Sequence, residues 1–449
     1  MPVMETSLRD RAAGHANRRR WPLRALVVVS LVVLGGLAAW QWREQRPNVV
    51  VVVIDTLRAD HLPTYGYARN TAPFLAELAS RSVTFEAAQS ASAWTAPATA
   101  SIFTSLYPFQ HGVTTGFMVT ERLQEGDASF ELNRIPDELE TMPEAMKRAG
   151  YSTWAVTGNV NIGAAMGFFD GFDFHHNFSQ DMTAKELSAK VERWKPRLEE
   201  QAPYFLYVHY LDPHAPYRPN KPWFDPATEG LARRISAYDS EIAFTDSMIG
   251  ALYRSFGWDR DTIVVVTSDH GEEFGDHGGK GHSETLYSEM LSVPLIVSFP
   301  GGEFAGRRIQ EPVGTIDVLP TLRELVGLPP DLIAEGRSLM PLLRAAAPPS
   351  GARPLFSHLL RVDQGNRWVR AVRRGEWKLI ESATGGLLFN LRRDPGEKID
   401  GRGEEPRIAN LLEQELRRFV DTSRKFSGRG SATLDAEAVE TLRSLGYVR

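Results

Sequence analysis

Five consecutive valines, Val49 to Val53, stand between Asn48 and the pair Ile54-Asp55. β-Branched residues lose rotamer freedom in a helix and pack well on a pleated surface, so a run this short and unalternating predicts a strand buried on both faces. Such a strand belongs inside a mostly parallel sheet with helices on either side. A second run of the same kind, Thr262 to Thr267, ends in Ser268-Asp269-His270. Ligands of open α/β sheets bind beyond the carboxyl ends of the strands, which puts Asp55, Asp269 and His270 at one end of the molecule. Singly, an acidic residue after an apolar strand is most often a structural exit from the sheet; agreement between two such strands favours a site. Two carboxylates and an imidazole can hold a divalent cation, and Thr95, in Ser92-Ala-Trp-Thr-Ala-Pro-Ala-Thr, offers a hydroxyl that such a cation would acidify as it does water. The chemistry implied is attack on a tetrahedral phosphorus or sulfur ester.

Strand-like and helix-like segments alternate after Pro47. Thr71 to Ala79 and the segment after Thr95 carry helix-start signals, Met142 to Gly150 reads as a helix, and Tyr151 to Gly158, Tyr204 to Leu211 and Pro294 to Phe299 read as strands. A helix starting at Thr95 would turn free N–H groups and a positive dipole end toward an anionic ester there. Pro348-Pro-Ser-Gly separates a main domain, residues 47–347, from a smaller α+β lobe, residues 352–449. In the lobe, Trp368 to Val372, Trp377 to Ile380 and Leu387 to Asn390 predict an antiparallel sheet, and Ile408 to Val420 a closing helix. A chain of 449 residues with 42% hydrophobic content can bury a large core. Its net charge of −5 argues against a nucleic-acid partner, and the absence of cysteine excludes disulfides and zinc–thiolate sites.

The N-terminus speaks to location. Residues 1–20 form a basic tail, and residues 21–42 hold a charge-free run, Ala25 to Trp40, flanked by tryptophans and by Arg24, which can snorkel. This predicts a single-pass anchor in the cytoplasmic membrane with the catalytic domain outside the cytoplasm; a cleaved signal peptide is the competing reading.

In their order along the chain, these segments resemble the sulfatase branch of the alkaline phosphatase superfamily. Asn48 to Leu62 resembles its first strand, Thr95-Ala-Pro-Ala-Thr-Ala-Ser-Ile-Phe-Thr-Ser-Leu-Tyr-Pro-Phe-Gln-His-Gly its nucleophile segment, and Ser268-Asp-His-Gly-Glu-Glu-Phe-Gly-Asp-His-Gly its second metal segment. Tyr210-Leu-Asp-Pro-His, Leu286-Tyr-Ser-Glu, Asp317-Val-Leu-Pro-Thr-Leu and Trp377-Lys-Leu-Ile continue the series. The resemblance implies metal ligation by Asp55, Thr95, Asp269 and His270. It also implies that His214 and His282, with Lys280 as a less well-aligned candidate, contact the transferred group and leaving oxygen. His111, Arg58 and Asp212 would support them, whereas His209, within a strand, reads as a hydrogen-bonded core residue. Two departures matter. The family's usual Cys or Ser is converted to formylglycine and followed by Pro and Arg; here the residues are Thr95 and Thr99, so Thr95 would act unmodified. The second Asp of the first strand's pair is Thr56, and one carboxylate fewer shifts preference from calcium toward zinc, manganese or iron within a candidate set that also holds magnesium. The expected function is a metal-dependent hydrolase of phosphate, phosphonate or sulfate esters on small molecules, glycans or lipids. A transferase to a glycan or lipid hydroxyl, a catalytically dead homologue, and a second metal at Asp212, His214 and His282 are the alternatives.

Overall fold

The computed structural model describes residues 46–116, 133–177, 182–345, 352–361 and 364–426. Strands of the main body are β1 (Asn48–Ile54), β2 (Val83–Phe85), β3 (Ala88–Gln89), β4 (Ser152–Thr157), β5 (Phe174–Asn177), β6 (Tyr204–Tyr210), β7 (Thr262–Thr267), β8 (Leu295–Ser298), β9 (Arg308–Ile309) and β10 (Val313–Gly314). Eight of them form one sheet in the order β5-β4-β6-β1-β7-β8-β2-β9, and β3 pairs with β10 beside it. The valine strand β1 lies buried at the centre, parallel to β6 on one side and β7 on the other. The β4–β6 and β4–β5 pairs are also parallel, and β8 alone reverses direction against β7 and β2.

Alternation along β1 divides the core in two. Val49, Val51 and Val53 face a layer containing the Thr95–Thr104, Met142–Arg148 and Val318–Leu325 helices. Val50, Val52 and Ile54 face the Pro73–Ser80, Ala184–Glu200 and Gly230–Phe256 helices. Coverage on both faces explains why no polar residue interrupts the valine run.

The C-terminal lobe is an antiparallel sheet of β11 (Pro354–Arg361), β12 (Arg367–Arg374), β13 (Trp377–Ser382) and β14 (Gly385–Asn390). The Pro406–Thr422 helix lays Ala409, Leu412, Leu416 and Val420 against Val372, Leu379 and Leu388 of that sheet. Strand β11, with Ser357, His358 and Arg361 among its apolar residues, is an addition to the strands read from sequence.

Among the described residues no helix is long and apolar enough to cross a membrane. The predicted tail (residues 1–20) and anchor (21–42), the boundary at Pro348 and the end of the lobe beyond residue 426 lie outside the described residues.

Candidate active site at the carboxyl ends of the central strands

Val53 on β1 lies opposite His209 on β6 and Thr267 on β7. Residues paired across parallel strands share a face, as do residues two apart along one strand. Asp55, His209 and Asp269 therefore converge on one face, the face covered by the Thr95–Thr104 helix. His209 Nε2 lies 3.4 Å from Asp55 Oδ2 and 3.9 Å from Asp269 Oδ2; His270 Nε2 lies 3.5 Å from Asp55 Oδ1 and 3.6 Å from Asp269 Oδ2. Thr95 Oγ1 is 3.3 Å from His270 Nε2. All four charged or imidazole side chains are fully buried.

This cluster has the character of a cation site. Asp55, His209 and Asp269 each offer a ligand atom, all within 4.8 Å of one another. Asp55 Oδ1 and Asp269 Oδ2 are buried and accept no hydrogen bond, a costly state for carboxylate oxygens unless a cation faces them. Burial on its own would raise Asp55, but the His209 hydrogen bond and the fields of His214, His270 and His209 hold it well below the usual carboxylate range. Burial and the charge of Asp55 push Asp269 upward, against His270 and His209. A divalent ion would relieve that conflict, and the donors present, two carboxylates and two imidazoles, fit one.

Thr95 opens the Thr95–Thr104 helix, and Trp94 before it is extended. The first-turn N–H groups of a helix lack helical acceptors, so Thr95 and Ala96 present donors beside the hydroxyl. Asn159, in the turn after β4, adds another: its Nδ2 is 2.5 Å from Asp55 Oδ2 and 3.3 Å from Thr95 Oγ1, while Asn161 N–H fixes its Oδ1 at 2.8 Å. His111 holds the same helix. Its Nδ1 accepts from Val113 N–H, so Nε2 carries the proton toward Ser101 Oγ at 3.0 Å.

His282 and His214 complete the pocket's imidazole side. Their rings are 5.0 Å apart, and that of His282 is 4.7 Å from His270. Burial lowers both, but Glu272, fully buried with Oε1 at 3.2 Å from His282 Nδ1, outweighs it for His282, which ends above its ordinary value. His214 Nδ1 donates to the Ala215 carbonyl at 2.7 Å, which leaves Nε2 as an acceptor.

The other candidates lie around this centre. Lys280 is exposed in the Gly278–Gly281 turn. Arg58 is buried and forks to Asp60, Asp276 and the Glu272 carbonyl, bracing the loop after His270. Asp212 accepts Ala184 N–H at 2.5 Å, serving the start of the Ala184–Glu200 helix. Thr56, with φ of 56°, turns its N–H onto Asp269 Oδ1 at 3.3 Å, so the residue that replaces a carboxylate orients one instead. His209, Asn159 and Glu272 are the additions to the site read from sequence. For His209 the signal was present: counting by twos from the β1–β6 register aligns it with Asp55, but the strand order needed for that count is not written in the chain.

A mostly parallel sheet with buried carboxylates and histidines at its carboxyl end, facing a helix-borne hydroxyl, defines an ester hydrolase of the alkaline-phosphatase-like kind. The chain belongs to the sulfatase family: the family model described as Sulfatase matches residues 47–328, and one described as N-sulphoglucosamine sulphohydrolase, C-terminal, matches residues 275–423. The ulvan-active sulfatase of Formosa agariphila is 24% identical over 440 residues, covering 86% of this chain and 83% of that one. The structure of a phosphonate monoester hydrolase of Agrobacterium radiobacter matches with a TM-score of 0.70 at 20% identity, over 84% of this chain and 96% of that one. A phosphonate monoester hydrolase of Silicibacter pomeroyi matches at 0.66 and 20%, over 87% and 98%. This protein is a sulfate- or phosphate-ester hydrolase of a metal-dependent family.

Proposed function

We propose that the chain hydrolyses phosphate or phosphonate esters with Thr95 as an unmodified nucleophile. The observation that carries this reading is the Thr95 hydroxyl at a helix start, 3.3 Å from His270 in the Asp–His cluster, in a chain without cysteine. A divalent cation held by Asp55, His209, Asp269 and His270, with Thr95 beside them, would supply Lewis acidity to the hydroxyl and the ester. Nitrogen makes up half of that donor set, which favours zinc, manganese or iron. Thr95 Oγ attacks phosphorus in line as its hydroxyl proton passes to solvent, the bond to the leaving oxygen breaks, and a threonine ester forms. Asn159 and the helix-start N–H groups face the charge that builds on the transferring group. His282, whose proton the buried Glu272 carboxylate helps to hold, donates to the leaving oxygen, and His214 Nε2 faces the same pocket. Water then cleaves the threonine ester. Oxidising threonine gives a ketone, so the aldehyde hydrate used by sulfatases of the usual kind has no precursor at this position.

Intact-mass analysis of enzyme trapped with paired phosphonate, phosphate monoester, phosphate diester and sulfate substrates tests the reading. A phosphoryl-sized adduct on Thr95, absent from inactive Thr95→Ala, is the expected result; an adduct elsewhere, or robust turnover by Thr95→Ala, contradicts it. Turnover of sulfate esters alone contradicts the substrate class and leaves the nucleophile standing. The domain is held outside the cytoplasmic membrane by residues 21–42 in this reading. Removing residues 1–46 should move activity from the membrane to the soluble fraction, because residues 47–449 form a compact unit by themselves.

A further inference from the structure

His282 follows directly on a tight hairpin. Glu273 and Gly281 exchange both backbone hydrogen bonds, at 2.8 and 3.1 Å, and the Glu273 carboxylate inside the turn receives the N–H groups of His277 and Gly279 at 2.9 and 2.6 Å. The base of the hairpin is fixed to the main body, where Gly271 and Glu272 donate to the carbonyls of Met290 and Glu289.

Its tip is held from the C-terminal lobe. His277 lies 3.1 Å from the Glu397 carbonyl through Nε2 and 2.6 Å from Glu289 Oε1 through Nδ1, and its ring stacks on Tyr287 at 3.5 Å. The Lys398 ammonium donates to the Asp276 carbonyl. Glu397 also reaches the main body with its side chain, accepting Ser288 N–H at 2.5 Å. Its other oxygen pairs with Lys378 Nζ on β13 at 2.8 Å, and the two side chains are 1% and 0% exposed. Glu397 has φ of 52°, a left-handed conformation that a non-glycine residue keeps only where its surroundings fix it. A buried ion pair adds little net stability over an apolar pair of the same volume, but removing one partner leaves the other charge alone in the interior. Here the pair ties the segment that grips the hairpin to β13.

We propose that Lys378 and Glu397 are positioning residues for the reaction, through which the C-terminal lobe holds the Glu273–Gly281 hairpin and thereby aims His282 at the leaving oxygen. The proposal rests on the assignment of His282 to that oxygen. It also gives the lysine of Trp377-Lys-Leu-Ile a role in turnover.

The test compares full-length wild type, His282→Ala, Lys378→Met and the double variant Lys378→Met/Glu397→Gln, the last leaving no buried charge alone if the single variant fails to fold. Substrates are aryl esters of the acid that the wild type hydrolyses, from the good leaving group 4-nitrophenol to the poor one phenol. Displacing His282 should lower kcat on the phenyl ester about tenfold or more, leave the 4-nitrophenyl ester within about threefold, and leave KM unchanged, since help from a donor matters most when the leaving oxygen is basic. Equal losses along the series, or no loss, in the folded double variant overturn the proposal, provided His282→Ala shows the selective loss. A flat series in His282→Ala overturns the assignment of His282, and the proposal falls with it.

Discussion

His209 and Asp212 are three residues apart and serve different ends. His209 meets both carboxylates of the cluster, whereas Asp212 turns away to accept Ala184 N–H. His209→Gln should therefore lose bound metal about as fully as His270→Ala. Asp212→Ala should keep its metal and lose stability by about 1 kcal/mol, the usual scale for one helix-start acceptor. Asn159→Ala should keep metal too but lower kcat, because its amide reaches Thr95 as well as Asp55. Elemental analysis of the folded variants checks all three; stoichiometric metal in His209→Gln would remove it from the ligand set. The residues legible in the sequence were those that end a strand or open a helix, where local pattern and chemistry coincide: Asp55, Thr95, Asp269 and His270. His282 and His214 came through motif resemblance. His209 and Asn159 were hidden for one reason: each enters the site through its strand's neighbours, and a slip of one residue in register would have turned His209 to the opposite face.

The turn after β7 is the element on which the site is most tightly built. A Cβ on Gly271 would meet the Glu289 carbonyl oxygen at 1.9 Å, so only glycine lets this segment pair with the Ser288–Leu291 stretch. Gly271→Ala should force the two backbones apart, destabilise the protein by about 3 kcal/mol or more, and lower metal affinity through Asp269 and His270 next to it. Thermal melts with and without added metal check this; a wild-type melting temperature and metal affinity would mean that the contact relaxes freely. Several main-body elements were readable because their signals are local: β-branched runs for β1 and β7, and a helix after Trp94 with Pro97 in its first turn; the two- to four-residue strands β2, β3, β5, β9 and β10 and the Ala184–Glu200 and Gly230–Phe256 helices were not read. Strand β11 was not, because Ser357, His358 and Arg361 break its apolar pattern and their partners are the loops of the main body, among them the Ser90 and Ala91 carbonyls.

At the scale of the whole molecule, two histidines buried without charge set an acid limit. Burial pushes both His111 and His358 down to about 3, while the unfolded chain takes up these protons near 6.5. Between those values the unfolded state binds more protons, so stability falls as pH drops through that window, by about 1.4 kcal/mol per pH unit for each histidine. Above pH 6.5 neither contributes. Urea unfolding at pH 7, 6, 5 and 4 should show this slope, and His111→Gln or His358→Gln should each remove its share; identical slopes in all three proteins would contradict the assignment. The position of β1 carries a consequence for biosynthesis. Among the described strands β1 leaves the ribosome first, yet Asn48 waits 156 residues for Tyr204, and Thr56 waits 213 for Asp269. Until both neighbours arrive, five valines present two open edges of the kind that recruit other chains. Pairings this distant also form slowly. The nascent polypeptide must therefore remain unassembled and shielded from self-association until more than half of it has been made.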